Sequence, residues 1–567
     1  QPYDRGYWAL ETKTLTPGSR YRFSIDGNDP LPDPASLAQP GGVHGASQAV
    51  DLSAFQWSDG SWRNHALQNY ILYELHTGTF SPDGTFAGIE SRLDHLVDLG
   101  VTAIEIMPVA QFPGERNWGY DGVYPFAAQH SYGGAEGLQR LVDACHQKGI
   151  AVVLDVVYNH LGPEGNYLGT YGPYFTDKYK TPWGHALNFD DAGSDGVRHY
   201  FIENALMWLR DFHVDALRLD AVHAIKDFSA VHLLRELRQA VDALEEATGR
   251  KHYLIVESDL NDHRFINPPE KGGYGMDAQW IDEFHHALRV TATGEKTGYY
   301  ADFSGIAHLA KTYRDAYVYD GQYSPHRDRT FGIPATGNEG RQFVVFSQNH
   351  DQVGNRMLGE RTSSLVSFEM QKLLAGAVML SPYVPMLFMG EEWAEPAPFL
   401  YFVSHTDPDL AEAVRQGRKS EFAAFHAEGE APDPMSVDTF AKSRLQWDLR
   451  NEGQHRIMLS FYKELLVLRR SDPVFSHLDR SGVSVETRGA GLLILRRWAG
   501  ERARVCFLNF SKHQELATAN IAKDLSLVFD SAAEKWSGGH VADEQVSNGQ
   551  PVSIAPESFL IYSHSNA

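Results

Sequence analysis

Four short segments of the chain each combine an apolar, strand-like run with a carboxylate near its end. They are AVVLDVVYNH at 151–160, DALRLDAVH at 215–223, YLIVESD at 253–259 and FVVFSQNHD at 343–351. Aliphatic runs of this kind are typical of strands buried on both faces of a parallel sheet. Because burying a carboxylate is costly unless the group is paired or used, four such ends in order predict an active site at the carboxyl-terminal mouth of a barrel.

Two of these carboxylates, Asp220 and Glu257, suit the hydrolysis of a glycosidic bond, which needs a pair of carboxyl groups. They end successive strands, so strand spacing places them about 5 Å apart, and this closeness favours the retaining route. Arg218 lies two residues before Asp220 and points to the same face, where its charge would keep Asp220 ionised as a nucleophile. The apolar run before Glu257 would raise the pKa of that carboxyl toward the value a general acid needs. The alternative is a buried Arg–Asp pair and a strand-end Glu without chemistry, which the neighbouring His350–Asp351 pair disfavours.

The elements that must position these residues alternate between strand and helix patterns from Tyr70 onward. This alternation predicts a parallel sheet with helical crossovers. Eight strand candidates begin near residues 70, 102, 151, 215, 252, 278, 342 and 384. Eight strands predict an α/β fold of the (β/α)8 TIM-barrel type. The expected domains are an N-terminal β-sandwich, possibly partial, at 1–57, a linker at 58–69, the catalytic barrel at 70–472 and a C-terminal antiparallel β-sandwich at 473–567.

Composition narrows the class of protein and of partner. The 567 residues exceed a single hydrophobic core, and the formal net charge of −23 argues against nucleic acid or an anionic membrane as a partner. Cys145 and Cys506 lie in apolar periodic segments and are expected to be buried, reduced thiols. The opening QPYDRGYW lacks the basic and apolar regions of a secretion signal, so the cytoplasm is the expected compartment.

At these residues the sequence resembles the α-amylase family of glycoside hydrolases, whose ordered signature regions are similar to the four segments. The resemblance covers roughly residues 70–470. It implies that Asp220 is the nucleophile, Glu257 the acid/base, and Asp351 a third carboxylate that binds and distorts the sugar at the scissile bond. It also implies substrate contacts, which we assign to Tyr120, Asp155, His160, Arg218, His223, Asp259, His350, Gln352 and Asn355.

Further stretches resemble the members of that family that act on maltooligosyl trehalose. Among them are YELHTGTFSPDGTF, NHLGPEGNYL, HDQVGNR and FMGEEWAEPAPFLYF. This resemblance implies cleavage of the α-1,4 bond next to a terminal trehalose unit, with maltooligosyl trehalose and α-1,4-glucans as partners. His223 and Ala224 stand where many amylases carry a Lys-His pair that touches the leaving sugar, which fits a modified leaving-group site.

Metal and cofactor requirements are expected to be absent. Asn159 matches a calcium ligand of calcium-binding amylases, but calcium-free members of the family keep the same residue. No EF-hand loop or Cys/His cluster is readable in the chain. We therefore predict no structural metal and no cofactor.

Two other functions remain open from the sequence. One is a glycogen branching or debranching enzyme of the same family, which shares the carboxylate set. The other is a catalytically inactive carbohydrate-binding protein, which the intact Asp220, Glu257 and Asp351 disfavour. Trp183, in the long connection TPWGHALNFD, is an additional candidate for a wall of the cleft.

Overall fold

The computed structural model describes residues 1–2, 7–181, 184–424, 431–518 and 524–564. Trp183, the predicted cleft-wall residue, lies outside the described residues. Within the described ranges, no helix is both long and apolar enough to cross a bilayer.

Eight parallel strands form a closed barrel, and each strand pairs with its neighbours in chain order. The strands are β1 Leu72–Leu75, β2 Ala103–Ile106, β3 Ala151–Val156, β4 Ala216–Leu219, β5 Tyr253–Val256, β6 Ala278–Trp280, β7 Phe343–Phe346 and β8 Val384–Phe388. Every residue in them is buried, because helices cover the outside and side chains fill the inside. The predicted barrel is confirmed, with all eight candidate strands present.

Helices surround the barrel and pack apolar faces on it. A representative is Leu233–Thr248, whose buried Leu233, Leu237 and Val241 recur at helical spacing and which ends at Gly249 with φ 70°. The others are Thr77–Phe80, Phe86–Glu90, Leu93–Leu99, Gly134–Gln147, Leu168–Tyr171, Ser194–Arg210, Asp282–Thr293, Ile306–Asp315, His350–Gly354, Thr362–Leu365, Phe368–Met379, Pro408–Ala424, Val437–Lys442 and Gly453–Ser471.

Further short strands form two-stranded sheets outside the barrel. Two hairpins lie in the segments that follow β2 and β3: Ala110–Gln111 with Tyr124–Ala128, and Phe175–Thr181 with Gly184–Leu187. A third, Gln322–Ser324 with Arg329–Phe331, lies between the helix Ile306–Asp315 and β7. Near the amino terminus, Arg20–Tyr21 pairs with Ser47–Gln48. The predicted N-terminal sandwich is thus represented, among the described residues before 58, only by this two-residue ladder and isolated bridges. The segment before residue 58 is rich in Pro, Gly and polar residues. It therefore has too few apolar residues to form a second hydrophobic core.

The segment 58–69 is fastened to the amino-terminal face of the barrel, opposite the predicted site. Asp59 Oδ2 accepts hydrogen bonds from His146 Nδ1 at 2.9 Å, His213 Nδ1 at 2.8 Å and Arg250 Nη1 at 3.1 Å. Burial opposes the charge of Asp59, but these bonds hold its pKa well below the usual range. The segment that we predict to be a linker is therefore bound to the barrel by charged hydrogen bonds.

The carboxyl-terminal part is antiparallel, as expected. Its main sheet comprises Val483–Arg488, Leu492–Ala499, Arg502–Asn509, Ser558–His564, Leu525–Asp530 and Gln545–Val546, in that spatial order. A smaller sheet pairs Glu515–Ala517 with Val552–Ile554. Alternate side chains serve two cores: Leu493 and Leu495 pack with the barrel helices, whereas Leu492 and Ile494 pack toward the small sheet. Cys145 and Cys506 are both buried and unpaired.

Candidate active site

Arg218 lies at the centre of the charged groups at the barrel mouth. Its side chain is fully buried, and Nη1 donates to Asp155 Oδ2 at 2.9 Å and to Asp220 Oδ1 at 2.8 Å. Nη2 lies 3.9 Å from Glu257 Oε2. One guanidinium therefore draws three carboxylates from three adjacent strands into a single cluster.

The strand register explains this convergence. Arg218 pairs in register with Asp155 on β3, and Leu219 pairs with Val156 on β3 and Val256 on β5. The residues that follow, Asp220 and Glu257, consequently emerge side by side at the mouth. The guanidinium is packed on the indole of Trp280 from β6, with 4.4 Å between Cζ and the ring centroid. The Trp280 indole thus gives the buried Arg218 guanidinium a second stabilising contact, in addition to its carboxylate partners.

Asp220 is held by both of its oxygens. Arg218 donates to Oδ1, and the side-chain amide of Asn159 donates to Oδ2 at 2.8 Å. The same amide nitrogen lies 3.0 Å from the backbone oxygen of Asp220. The carboxylate is thus fixed in position before any substrate binds, as a nucleophile requires.

Glu257 is anchored by the backbone next to Asp220. The amide of Ala221 donates to Glu257 Oε2 at 2.7 Å. Ala221 has φ 41°, a conformation uncommon for a residue with a side chain, and such strain often occurs at functional sites. Burial raises the pKa of Glu257 to about 8. The positive charge of Arg218 lowers this pKa, and the negative charges of Asp220 and Asp282 raise it. The carboxyl is therefore protonated near neutral pH, as a general acid must be.

A chain of hydrogen bonds joins the far side of the site. His350 Nδ1 donates to Glu74 Oε1, and its backbone amide donates to Glu74 Oε2 at 2.9 Å. The Tyr120 hydroxyl donates to Asp155 Oδ2 at 2.8 Å and accepts from His350 Nε2 at 2.8 Å. Burial lowers the pKa of His350, but the charges of Asp351 and Glu74 outweigh it and raise the pKa to about 9. Burial also raises the pKa of Asp155 to about 7 against the effect of Arg218.

Two further residues that we predict to contact substrate, Asn355 and Gln352, lie in the segment after β7. Asn355 Nδ2 donates to Asp351 Oδ1 at 3.2 Å, and the Asp351 side chain keeps 44% of its surface exposed to the cleft. Gln352 accepts a hydrogen bond from the Tyr299 hydroxyl at 3.1 Å.

His160, in the segment after β3, lies near Tyr120: its Nε2 is 3.0 Å from the backbone oxygen of Tyr120. Its imidazole has a pKa lowered by burial, so a neutral ring faces the site.

His223 and Asp259 lie together beyond Glu257. The backbone amide of Asp259 donates to His223 Nδ1 at 3.4 Å, and burial lowers the pKa of the imidazole. The Asp259 carboxylate is largely exposed and pairs with Arg327 Nη2 at 2.8 Å. The Asp259 carboxylate is therefore nearer to solvent than the Arg218 cluster.

The structure brings three residues into the site that the sequence analysis did not assign to it. Glu74, within β1, positions His350; Asn159 binds Asp220 rather than serving only as a metal-ligand candidate; and Asp282 follows β6. The sequence contained a signal for Glu74 and Asp282, because each is a carboxylate within or directly after an apolar, strand-like run. Across the described ranges, no group of three or more His, Cys, Asp or Glu is placed to hold a metal ion.

The arrangement is suited to acid-assisted nucleophilic displacement on a neutral sugar. It offers one fixed carboxylate, one protonated carboxyl on the neighbouring strand, and a third carboxylate, Asp351, facing them across the mouth. Tyr120 and the charged side chains of Arg218 and His350 complete the site. Such a set can protonate a leaving oxygen while a carboxylate attacks the anomeric carbon.

Comparisons with known proteins agree with this chemistry. Residues 53–181 match the family model described as the alpha amylase catalytic domain. The chain is 49% identical over 467 residues to a malto-oligosyltrehalose trehalohydrolase from Saccharolobus solfataricus, an alignment that covers 82% of this chain and 80% of that protein. It is 45% identical over 489 residues to a malto-oligosyltrehalose trehalohydrolase from Rhizobium sp., covering 86% of this chain and 82% of that protein.

Among solved structures, a crystal structure of an alpha amylase candidate from Salmonella typhimurium superposes with a TM-score of 0.90. That chain is 38% identical in sequence, and the match covers 100% of this chain and 94% of that one. The likeness therefore extends over the barrel and both flanking regions.

Proposed function

The chain belongs to the malto-oligosyltrehalose trehalohydrolases of the α-amylase family, and on that premise we propose that it hydrolyses maltooligosyl trehalose to free trehalose and a maltooligosaccharide. The bond cut is the α-1,4 bond next to the terminal trehalose unit. The observation that carries the proposal is the Arg218 cluster, in which Asp220 and Glu257 both lie within 4 Å of one guanidinium. Their gathering around one cation supports the retaining route, which needs the two carboxyl groups close together.

In the first step, a carboxylate oxygen of Asp220 attacks the anomeric carbon while Glu257 gives its proton to the oxygen of the leaving trehalose. A covalent glycosyl-enzyme results, and trehalose departs. In the second step, Glu257 takes a proton from water, and the hydroxide so formed replaces Asp220 at the anomeric carbon with retention of configuration.

The remaining residues are assigned by where they lie around these two groups. Asp351, with Asn355 and Gln352 beside it, binds the sugar ring that reacts. Tyr120, held by Asp155 and His350, supplies a flat surface for that ring, and His160 closes this side. His223 and Asp259 lie past Glu257 and therefore contact the leaving disaccharide.

The two alternative functions, a glycogen branching or debranching enzyme and an inactive carbohydrate-binding protein, predict different outcomes of the same incubation. Wild-type protein mixed with maltotriosyl trehalose, and the products separated by chromatography, should yield trehalose and maltotriose. Branched α-1,6 products would identify a branching enzyme. Binding of the substrate without any product would identify an inactive carbohydrate-binding protein.

A further inference from the structure

Glu164 is a buried carboxylate that the mechanism above does not use. It lies in the segment after β3, which also carries Asn159 and His160. Its side chain is 3% exposed, and its ion-pair partners among the described residues are two histidines, His44 and His405. Because a carboxylate removed from water is costly unless donors surround it, the contacts of Glu164 identify what this group holds together.

The donors to Glu164 come from two distant parts of the chain. In the segment after β8, the backbone amide of Thr406 donates to Oε2 at 3.0 Å, the Thr406 hydroxyl donates to Oε1, and His405 Nδ1 lies 3.1 Å from Oε2. In the amino-terminal segment, His44 Nε2 lies 3.4 Å from Oε1. Burial opposes the charge of Glu164, but these contacts lower the pKa of its carboxyl. One ionised group thus joins three segments that are far apart in sequence.

The amino-terminal segment fits closely against the loop after β3. Val43 is buried in a small apolar cluster with Tyr124, whose hydroxyl donates to the backbone oxygen of Val43 at 2.6 Å. Gly165 has φ 77°, and a Cβ atom at this position would lie 2.5 Å from Val43 Cβ. The imidazole of His44 is held in turn by Tyr167, whose hydroxyl lies 2.7 Å from Nδ1. The segment around Val43 and His44 is therefore packed directly on this loop.

The loop that Glu164 fastens also holds the nucleophile. Asn159 Nδ2 donates to Asp220 Oδ2 at 2.8 Å, and His160 Nδ1 lies 2.6 Å from Asn159 Oδ1. These bonds orient Asp220 only if the loop itself stays in place, because a catalytic group is held by the rigidity of its supporting shell. A misplacement of about 1 Å can lower a rate by about 100-fold.

The segment after β8 fixes a second part of the site. Ser404 Oγ accepts hydrogen bonds from the backbone amides of Glu115 and Arg116, each at 3.0 Å. These two residues shortly precede Tyr120 in the chain. The segment after β8 is therefore anchored at the mouth independently of Glu164, and it offers a fixed point for the loop after β3.

We propose that Glu164 is a positioning residue for the nucleophilic attack. It fastens the loop after β3 to the segment after β8 and to the amino-terminal segment, and it thereby holds Asn159 in the place from which Asn159 orients Asp220. Glu164 acts through Asn159 and does not itself contact the reacting atoms. This inference rests on the proposed function, because the attack that it serves is that of Asp220 on an anomeric carbon.

The test separates positioning from stability. Glu164→Gln keeps the size of the side chain, but its amide NH2 cannot accept the hydrogen bonds from Thr406. Thr406→Val removes only the hydroxyl donor and is a milder second variant. The matched control is Asp59→Asn, which weakens another buried carboxylate, one that fastens the segment 58–69 at the opposite face of the barrel. For each protein, kcat and KM are measured on maltotriosyl trehalose and on maltosyl fluoride, and stability is measured by urea unfolding.

We expect Glu164→Gln to lower kcat by about 10- to 100-fold on both substrates and to change KM by less than about threefold. Both substrates should be affected because Asp220 attacks each of them, whether or not the leaving group needs a proton. Thr406→Val should lower kcat by about threefold to tenfold in the same way. Asp59→Asn should lose comparable stability while its kcat stays within about twofold of the wild-type value.

The outcomes keep the two proposals apart. A folded Glu164→Gln variant with wild-type kcat would overturn the role, and so would a kcat loss of the same size in Asp59→Asn. A loss confined to maltotriosyl trehalose would also overturn it, since the position of Asp220 affects both substrates. If Glu164→Gln does not fold, wild-type kcat in Thr406→Val contradicts the proposal. The proposed function fails separately if wild type releases no trehalose, because the comparison on maltosyl fluoride then still reports the role of Glu164.

Discussion

Arg218 Nη1 donates to Asp220 Oδ1 at 2.8 Å. The two residues lie two positions apart at the end of one strand. The same nitrogen also lies 2.9 Å from Asp155 on the neighbouring strand. Because the guanidinium has no exposure to solvent, it is the positive charge on which the buried carboxylates of the site depend. The first prediction follows from this dependence.

Replacing Arg218 by Met should destabilise the protein severely. The substitution keeps much of the volume but leaves Asp155 and Asp220 without their cation, and breaking a buried ion pair in this way costs about 3–5 kcal/mol. The free energy of unfolding from urea titration is the measurement. Arg140→Met, which breaks an exposed pair with Glu90, is the control and should cost less than about 1 kcal/mol. Similar losses for the two variants would contradict the central role of Arg218.

Asp220→Asn should abolish turnover while the protein still folds. The amide cannot form the covalent intermediate, so we expect kcat to fall by about four orders of magnitude or more. Circular dichroism melting should show a native-like transition, since the amide oxygen of the variant can still accept a hydrogen bond from Arg218. A folded variant with wild-type turnover would exclude the nucleophile role, as would inversion of the product anomer by NMR.

Glu257→Gln should be sensitive to the leaving group. Without a proton to give, the variant should lose about 10²- to 10⁴-fold on the natural substrate, but little on maltosyl fluoride, whose fluoride leaves without protonation. Initial rates on both substrates are the measurement. Equal losses on the two would argue against general acid catalysis by this residue.

The pH dependence of the wild type has a definite sign. Glu257 must be protonated to act as the acid, and its pKa is raised to about 8 by burial, so kcat/KM should decline as pH rises through about 8. The pH–rate profile on maltotriosyl trehalose is the measurement. With maltosyl fluoride the same limb should be shallow or missing for the first step. A limb near the ordinary pKa of a glutamate would show that the site does not tune this group.

His223→Ala should narrow the preference for the trehalose-ended substrate. His223 accepts a hydrogen bond from the backbone amide of Asp259, two residues after Glu257, and we propose that it contacts the leaving disaccharide. A site built to bond particular hydroxyls loses discrimination when one partner is removed. We expect kcat/KM on maltotriosyl trehalose to fall about tenfold and the value for maltopentaose to change less. Comparable specificity constants for the two substrates in wild type would instead point to an ordinary amylase.

The barrel itself could be read from the sequence because its signals are local. Each strand is a short apolar run, each crossover has helical spacing, and the carboxylates at the strand ends break the apolar pattern visibly. Arg218 and Asp220 share a face by simple alternation along one strand, so their pairing was also predictable. The extent of the N-terminal sandwich stays a prediction, because among the described residues before 58 the β-like pieces form only the ladder of Arg20–Tyr21 with Ser47–Gln48 and isolated bridges.

The identity of the partners across strands was decided by tertiary structure alone. Arg218 meets Asp155 because β3 and β4 are in register, and that register is set by closure of the whole barrel. Asn159 reaches Asp220 across 61 positions of sequence, and Glu74 reaches His350 across 276. The sequence determined which groups could do the chemistry; burial beside one guanidinium and among like charges decided which carboxyl carries a proton, because a pKa depends on neighbours in space.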